Sequence, residues 1–324
     1  MASKKHIVIL ATGGTIAGVG AAGTTVGYTS GQLGIEDLIN AAPEIAQAAT
    51  IEAHQICNVN SDDITAEIWL ELARAIDEHA TRDDVDGFVI THGTDTMDET
   101  AYFLNLVLHT DKPVVLTGSM RPSTATSADG PLNLYQAIVV ASADASRGKG
   151  VLVVFSGRIF NARDVQKTST HSVVSMSGGE NGSCGVIRDN AVLYSSTSTK
   201  LHTTYTSFDI EGLEHLPQVS ILYFHVDADP RAVEFAARYS EGLVIAGAGG
   251  GEFSKKYAEA INAVDVPVVV SSRVGSGLIM GETMLSPACI PANDLPPQKA
   301  AVLLRLALTV THDLNVISSM FEAY

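Results

Sequence analysis

Thr15, within ATGGTIAG (11–18), and Thr94, within THGTDTMDET (91–100), are the residues of this chain whose type and setting best fit nucleophilic chemistry. Each follows an apolar run, HIVIL (6–10) and GFVI (87–90), that reads as a buried strand. A strand ending in glycines and a hydroxyl residue delivers that hydroxyl to the carboxyl edge of a sheet, where open α/β sheets bind ligands. A threonine hydroxyl is a weak nucleophile until a base takes its proton or a network stabilises the alkoxide. Glycines beside it permit close backbone approach and leave N–H groups available to an oxyanion. The first segment also fits a helix-capping turn or a phosphate cradle, but GGT lacks the Gly-Lys-Ser/Thr ending of a Walker loop.

In the second segment Thr94, Asp95, Thr96, Asp98 and Glu99 crowd hydroxyls and acids at a predicted helix start. Thr96 with Glu99 is accounted for as a capping box. Thr94 and Asp95 precede the helix, where an acid can hold an ammonium group. Lys167, in RDVQKT (163–168), is the third candidate. Desolvated beside hydroxyls, a lysine can lose its proton and act as a base; in a polar loop it is an ordinary surface charge. SMRP (119–122) and SADGPLNLY (127–135) read as structural loops, with Asp129-Gly130 suited to a turn. His92 reads as a satisfied buried imidazole. The ten histidines show no His-x-His or His-x-x-x-His spacing, and Cys57, Cys184 and Cys289 are far apart. No metal is therefore expected.

The elements that must position these groups alternate between strand and helix patterns. A helix is expected around 35–49, and another over 64–80 with Ile64, Ile68, Leu72 and Ile76 as its apolar stripe. Strand, helix and strand follow at 87–94, 98–109 and 113–118, and the alternation continues through 133–143 and 150–157. Such an order implies parallel strands joined by right-handed crossovers. Residues 166–207 are rich in Ser, Thr and Gly, which suits hairpins and a linker. Alternation resumes after Pro217 and ends in an amphipathic helix at 297–313. The expected class is α/β with two domains: a larger, flavodoxin-like parallel-sheet domain over 1–200, a linker over 201–218, and a smaller α/β domain over 219–324.

The 324 residues are 46% hydrophobic and 17% charged, enough for buried cores and too apolar for disorder. A formal charge of −16 repels nucleic acid and anionic membranes, leaving small molecules or further copies of the chain as partners. No run of 18 apolar residues appears. MASKKHIVILATGG reads as a first strand rather than a signal peptide, so the expected location is cytoplasmic, or periplasmic or secreted if a leader has been removed.

Taken in order over nearly the whole chain, ATGGTIAG, THGTDTMDETAYFL, GSMRP, SADGPLNLY and RDVQKT resemble the bacterial L-asparaginase family, its type II-like branch in particular. The resemblance implies a homotetramer built as a dimer of intimate dimers, with each active site between the amino domain of one subunit and the carboxyl domain of its neighbour. It implies hydrolysis of L-asparagine to L-aspartate and ammonia through a threonine acyl-enzyme, without metal or cofactor. On this likeness Thr15 is the nucleophile and Tyr28, in GYTSG, assists its activation. Thr94, Asp95 and Lys167 form a second hydroxyl–acid–lysine group. Ser61, Asp62, Thr94 and Asp95 hold the substrate, with Ser61 and Asp95 on its α-carboxylate and α-amino groups. Glu282 matches the glutamate supplied by a carboxyl domain, and the glycine-rich loop from Gly18 to Gly34 matches a lid.

Two positions depart from the family pattern. Asp62 stands where glutamine or glutamate is usual, one methylene shorter. Gly250, in AGAGGGE (246–252), stands where asparagine is common, which implies weak glutamine activity and a strong preference for asparagine. The rival readings are a glutaminase-asparaginase of broader amide specificity, a glutamine-dependent amidotransferase subunit, and a non-catalytic amino-acid-binding protein.

Overall fold

Strand β1 (Lys5–Gly13) is buried from Ile7 onward, as a near-continuous apolar run covered on both faces should be. The computed structural model describes residues 4–24, 29, 31, 32, 34–40, 44–281, 286 and 288–324. Around β1 stand β2 (Ala49–Val59), β3 (Gly87–Thr91), β4 (Val114–Thr117) and β5 (Val151–Phe155), in the spatial order β2-β1-β3-β4-β5 and all parallel. That is the flavodoxin-like order, whose direction of winding reverses between β1 and β3. The expected α/β class is therefore observed, with the switch point at the strands that carry the two threonines.

Beyond β5 the sheet changes direction. β6 (Arg158–Asn161) runs antiparallel to β5, and the hairpin of β9 (Gly185–Arg188) and β10 (Ala191–Tyr194) brings the sheet to eight strands among the described residues. Between them, β7 (Gln166–Lys167) and β8 (Met176–Ser177) form a separate antiparallel ribbon. These short hairpins occupy the stretch whose Ser, Thr and Gly content predicts them.

The single helix expected around 35–49 is corrected. The chain forms α1 (Ile35–Asn40) and α2 (Ile45–Ala48), then enters β2 at Ala49. β2 escapes a periodicity reading because Glu52, His54, Gln55 and Asn58 interrupt its apolar residues. Its partner is 44 positions away in register, Ile7 opposite Ile51 and Ile9 opposite Ala53.

α3 (Ala66–Ala80) is capped by Thr65, whose hydroxyl accepts from the Ile68 N–H. Its buried stripe is Trp69, Leu72, Ala73 and Ile76, a spacing of i, i+3, i+4 and i+7. Ile64 and Ile68 of the expected stripe are only half-buried. α4 (Met97–Val107) and α5 (Gly130–Ser142) complete this part. On the α5 face, Ile7, Ile9, Val89, Val115 and Leu152 project from the strands into one cluster with Ile138. Each such side chain contributes about 1.5–3 kcal/mol by leaving water.

Residues Met1–Ser207 and Phe208–Tyr324 are two compact units. The second holds a parallel sheet of β11 (Val219–Tyr223), β12 (Gly242–Gly247), β13 (Val268–Ser272) and β14 (Ile290–Pro291), in that order. Its helices are α6 (Arg231–Ala237), α7 (Lys255–Asn262), α8 (Pro297–Val310) and α9 (Leu314–Ala323). The amphipathic helix expected over 297–313 ends at Val310, and α9 follows after a short break. Leu243, Ile245, Val270, Tyr257 and Ile261 form its core. No helix among the described residues is long and apolar enough to cross a membrane.

Candidate active site

β1 ends at Gly13 and Gly14 follows it, at φ +106° and +80°, and Thr15 opens a turn of 3-10 helix over Thr15–Ala17. A side chain at either glycine would be strained by that backbone and obstructed by its neighbours. A Cβ on Gly13 would lie 2.6 Å from the Val59 carbonyl oxygen, and one on Gly14 would fall on the Gly93 backbone. A Cβ on Gly93 would lie 2.7 Å from Ser61 Oγ. The glycines therefore let the ends of β1 and β3 and the turn after β2 touch backbone to backbone. The Gly14 N–H donates to the Val59 carbonyl at 3.0 Å. By this contact the segments bearing Thr15, Ser61 and Thr94 share one corner at the sheet's switch point.

Ser61 is 5% exposed and acts as the joint of that corner. Its hydroxyl oxygen accepts from the Asp95 N–H at 3.2 Å, and its carbonyl accepts from the Thr96 hydroxyl at 2.6 Å. This corrects the capping-box reading of Thr96: the residue stands at the N-cap of α4, but its side chain makes no cap bond and is spent on Ser61. Asp62 lies exposed on the same 3-10 turn, Ser61–Asp63.

Lys167 reaches in from β7. Its Nζ donates to Thr94 Oγ1 at 2.8 Å and to Asp95 Oδ1 at 2.6 Å. The lysine side chain is 16% exposed and the aspartate 69%, so this ion pair has one buried and one wet end. Thr94 is itself buried, and its hydroxyl hydrogen points to Met120 Sδ at 3.5 Å. A thioether is a weak acceptor, so that proton is held loosely.

Met120, which the sequence alone does not mark out, is placed by the SMRP and SADGPLNLY loops. The Asp129 carboxylate accepts from the Met120 and Arg121 N–H groups at 3.0 and 2.9 Å. Asn133 ties the same carboxylate to the Gly118 carbonyl. The Ser123 hydroxyl donates to the Gly18 carbonyl at 2.8 Å, and Gly20 N–H to Thr124 Oγ1 at 3.0 Å, so the same loop anchors the segment leaving Thr15. The signal that could have found Met120 is a methionine inside an otherwise polar loop between two motifs.

His92, two residues before Thr94, is fully buried. Its Nδ1 lies 2.7 Å from the Gly93 carbonyl, which requires the proton there, and Nε2 then accepts from Thr100 Oγ1 at 2.9 Å. Thr100 in turn accepts from Trp69 Nε1. Burial pushes the imidazole down to about 4, so the ring is neutral and structural, as its sequence context implies.

Tyr28 and Glu282 lie outside the described residues. Gly250 belongs to the unit Phe208–Tyr324, in a turn where Ala248 N–H donates to the Glu252 carbonyl. Thr15, Ser61, Thr94, Asp95 and Lys167 offer a hydroxyl engaged by an amine, a second hydroxyl on the adjoining strand end, and a carboxylate beside them. Those are parts for acyl transfer. Among the described residues the one group with metal-ligating composition lies elsewhere, at Glu52, His54 and His79.

The chain is similar to known proteins along most of its length. Residues 6–200 match the family model for the asparaginase N-terminal domain, and residues 218–321 match that for the glutaminase/asparaginase C-terminal domain. A protein of Haemophilus influenzae named as a probable periplasmic L-asparaginase is 44% identical over 100% of this chain and 94% of its own length. A glutaminase-asparaginase of Acinetobacter glutaminasificans is 41% identical over 99% of this chain and 100% of its own. The crystal structure of a probable cytoplasmic L-asparaginase from Campylobacter jejuni superposes with a TM-score of 0.95 at 43% identity, covering 99% of this chain and 100% of that one.

Proposed function

The chain belongs to the asparaginase family, and from that premise we propose that it hydrolyses the side-chain amide of L-asparagine to L-aspartate and ammonia through a threonine acyl-enzyme. The observation that carries the reading is Lys167, whose Nζ bridges the Thr94 hydroxyl and the Asp95 carboxylate at the strand end beside Thr15. In this reading Thr15 Oγ adds to the amide carbon, and backbone N–H groups of the glycine-flanked strand ends receive the oxyanion. The C–N bond breaks, the leaving nitrogen takes up a proton and departs as ammonia, and water then cleaves the ester to release aspartate and restore Thr15. Lys167, Thr94 and Asp95 hold and pass the proton. Ser61 accepts from the Asp95 N–H and so keeps its own hydroxyl hydrogen for a substrate carboxylate. Asp95 and Asp62 attract the α-ammonium group. Tyr28, Glu282 and the homotetramer of intimate dimers belong to the same reading.

A second reading, a glutaminase-asparaginase, is favoured by the relative of that name, and Gly250 argues against it by removing a polar side chain where the longer substrate would need one. Ammonia release from asparagine and from glutamine separates the two. The expected result is a kcat/KM for asparagine far above that for glutamine, with release abolished in Thr15→Ala. Near-equal values for the two amides would assign the broader enzyme, and tight binding without turnover would leave only an amino-acid-binding protein.

A further inference from the structure

Toward the amino end of the same sheet, on the face covered by α3, a second set of reactive side chains converges. Glu52 on β2 presents Oε1 to His54 Nε2 at 2.8 Å, to Arg82 at 3.0 Å and to His79 Nδ1 at 3.7 Å. Its other oxygen lies 3.3 Å from His6 Nε2. Glu52 and His54 are two apart on a strand and so share a face, while His79 comes from the last turn of α3 and packs its ring against His54, centroids 4.9 Å apart.

One donor atom each from Glu52, His54 and His79 lies within 4.8 Å of the other two. Donors around a tetrahedral ion with bonds of about 2.0–2.2 Å stand about 3.3–3.6 Å apart, so small side-chain rotations close this set on an ion. Two imidazoles and a carboxylate select a borderline transition ion over calcium or magnesium, which prefer oxygen alone. The His54 side chain is 43% exposed, which gives the ion an entry path and leaves a coordination position to water.

Arg82 holds the place of a cation here. One guanidinium nitrogen donates to Glu52 and lies 3.1 Å from His79 Nδ1. The other two nitrogens grip Asp84 at 3.2 and 2.9 Å. Arg82 can therefore release Glu52 and His79 while keeping Asp84. Behind the carboxylate, His6 is fixed by Asp84 through its other ring nitrogen, at 3.2 Å, and so steadies Glu52.

We propose that Glu52, His54 and His79 form a binding site for a divalent ion of the zinc class, in which the ion exchanges with the Arg82 guanidinium. The site ties the edge strand β2 to the end of α3 and lies apart from the hydrolytic residues.

The test is zinc titration of the full-length protein after stripping with chelator, read by competition with a chromophoric chelator. Cobalt is the spectroscopic probe. The expected result is one zinc per chain at the site and visible cobalt bands of a low-coordinate nitrogen–oxygen set. His54→Ala and His79→Ala each weaken zinc binding by at least about tenfold, and Arg82→Ala tightens it by a similar factor. His54→Gln, at an exposed position, repeats the loss without disturbing the fold, and ammonia release stays at the parent level in the His54 and Arg82 variants. Zinc content that is nil in the parent, or unchanged in a His54→Ala/His79→Ala double variant, overturns the site. Affinity that does not rise in Arg82→Ala overturns the exchange.

Discussion

At the carboxyl ends of β1 and β3, glycine backbone rests on backbone and the proposed chemistry sits on short side chains, Thr15, Ser61 and Thr94, reached by Lys167 from β7. Toward the amino ends, Glu52, His54, His79 and Arg82 reach a common point on longer stems from β2 and from the end of α3. α3 links the two: it starts just after the Ser61 turn, and its 15 residues end beside Glu52, a span of about 22 Å. Short groups on a rigid backbone hold reacting atoms to a fraction of an ångström, which acyl transfer needs. Long charged groups near the surface exchange partners readily, which suits ion capture; Lys167, the long group of the proposed hydrolytic site, is instead 16% exposed and held by both Thr94 and Asp95.

Replacements at the two ends should differ in kind as well as size. Lys167→Met should lower kcat/KM for asparagine at least about a thousandfold, a loss of about 4 kcal/mol in transition-state stabilisation. Arg82→Ala should leave it within about twofold. Comparable losses from both would break the contrast. Next in size, Gly14→Ala forces a Cβ into the Gly93 backbone at a φ of +80°, and should cost about 3 kcal/mol or more of stability in urea denaturation. His54→Ala should stay within about 0.5 kcal/mol by the same measurement.

Acid should act on the two ends in sequence. The folded-state value of His92, about 4 against 6.5 for the free group, means that the unfolded chain takes up the proton first. The His92 contribution to stability is therefore complete above pH 6.5 and is lost as pH falls toward 4, by about 3 kcal/mol. Glu52, held down to about 2 by Arg82 and His54, is a carboxylate with a depressed value, so its contribution is present above 4.5 and is lost between 4.5 and 2. Urea midpoints measured from pH 7 to 3 should show the first decline flattened in His92→Gln and the second in Glu52→Gln. A His92→Gln profile identical to the parent would show that His92 protonation does not set the first decline. The smallest effect is Met120→Leu, which replaces the sulfur acceptor at near-constant volume and should change kcat only about two- to fivefold.

Thr15, Thr94, Asp95 and Lys167 stand out in the sequence by type and setting, but the meeting of Lys167 with Thr94 and Asp95, 73 and 72 residues away, follows from the family resemblance and not from any local pattern. The parallel core was legible too, since strands covered on both faces are nearly unbroken apolar runs. β2 was not, because its polar residues are explained only by a partner strand far away in the chain. Thr96 was misread because a capping box and a bond to the Ser61 carbonyl use the same hydroxyl, and the competing acceptor is 35 residues distant. The Glu52 cluster was missed for a related reason. Glu52 and His54 form Glu-x-His on one strand, a spacing with no paired histidines, and His79 joins them only through the end of a crossover helix.

The contact between Gly14 and Gly93 also gives the reactive corner a place in time. The Gly14 amide on the Val59 carbonyl and the His92 amide on the Thr117 carbonyl are both buried. Neither can exchange its hydrogen for deuterium without the strand ends parting. Their exchange should accordingly be as slow as unfolding of the whole unit. The corner would then be among the last parts of the molecule to open, and its substrates would be bound by a surface already assembled before they arrive.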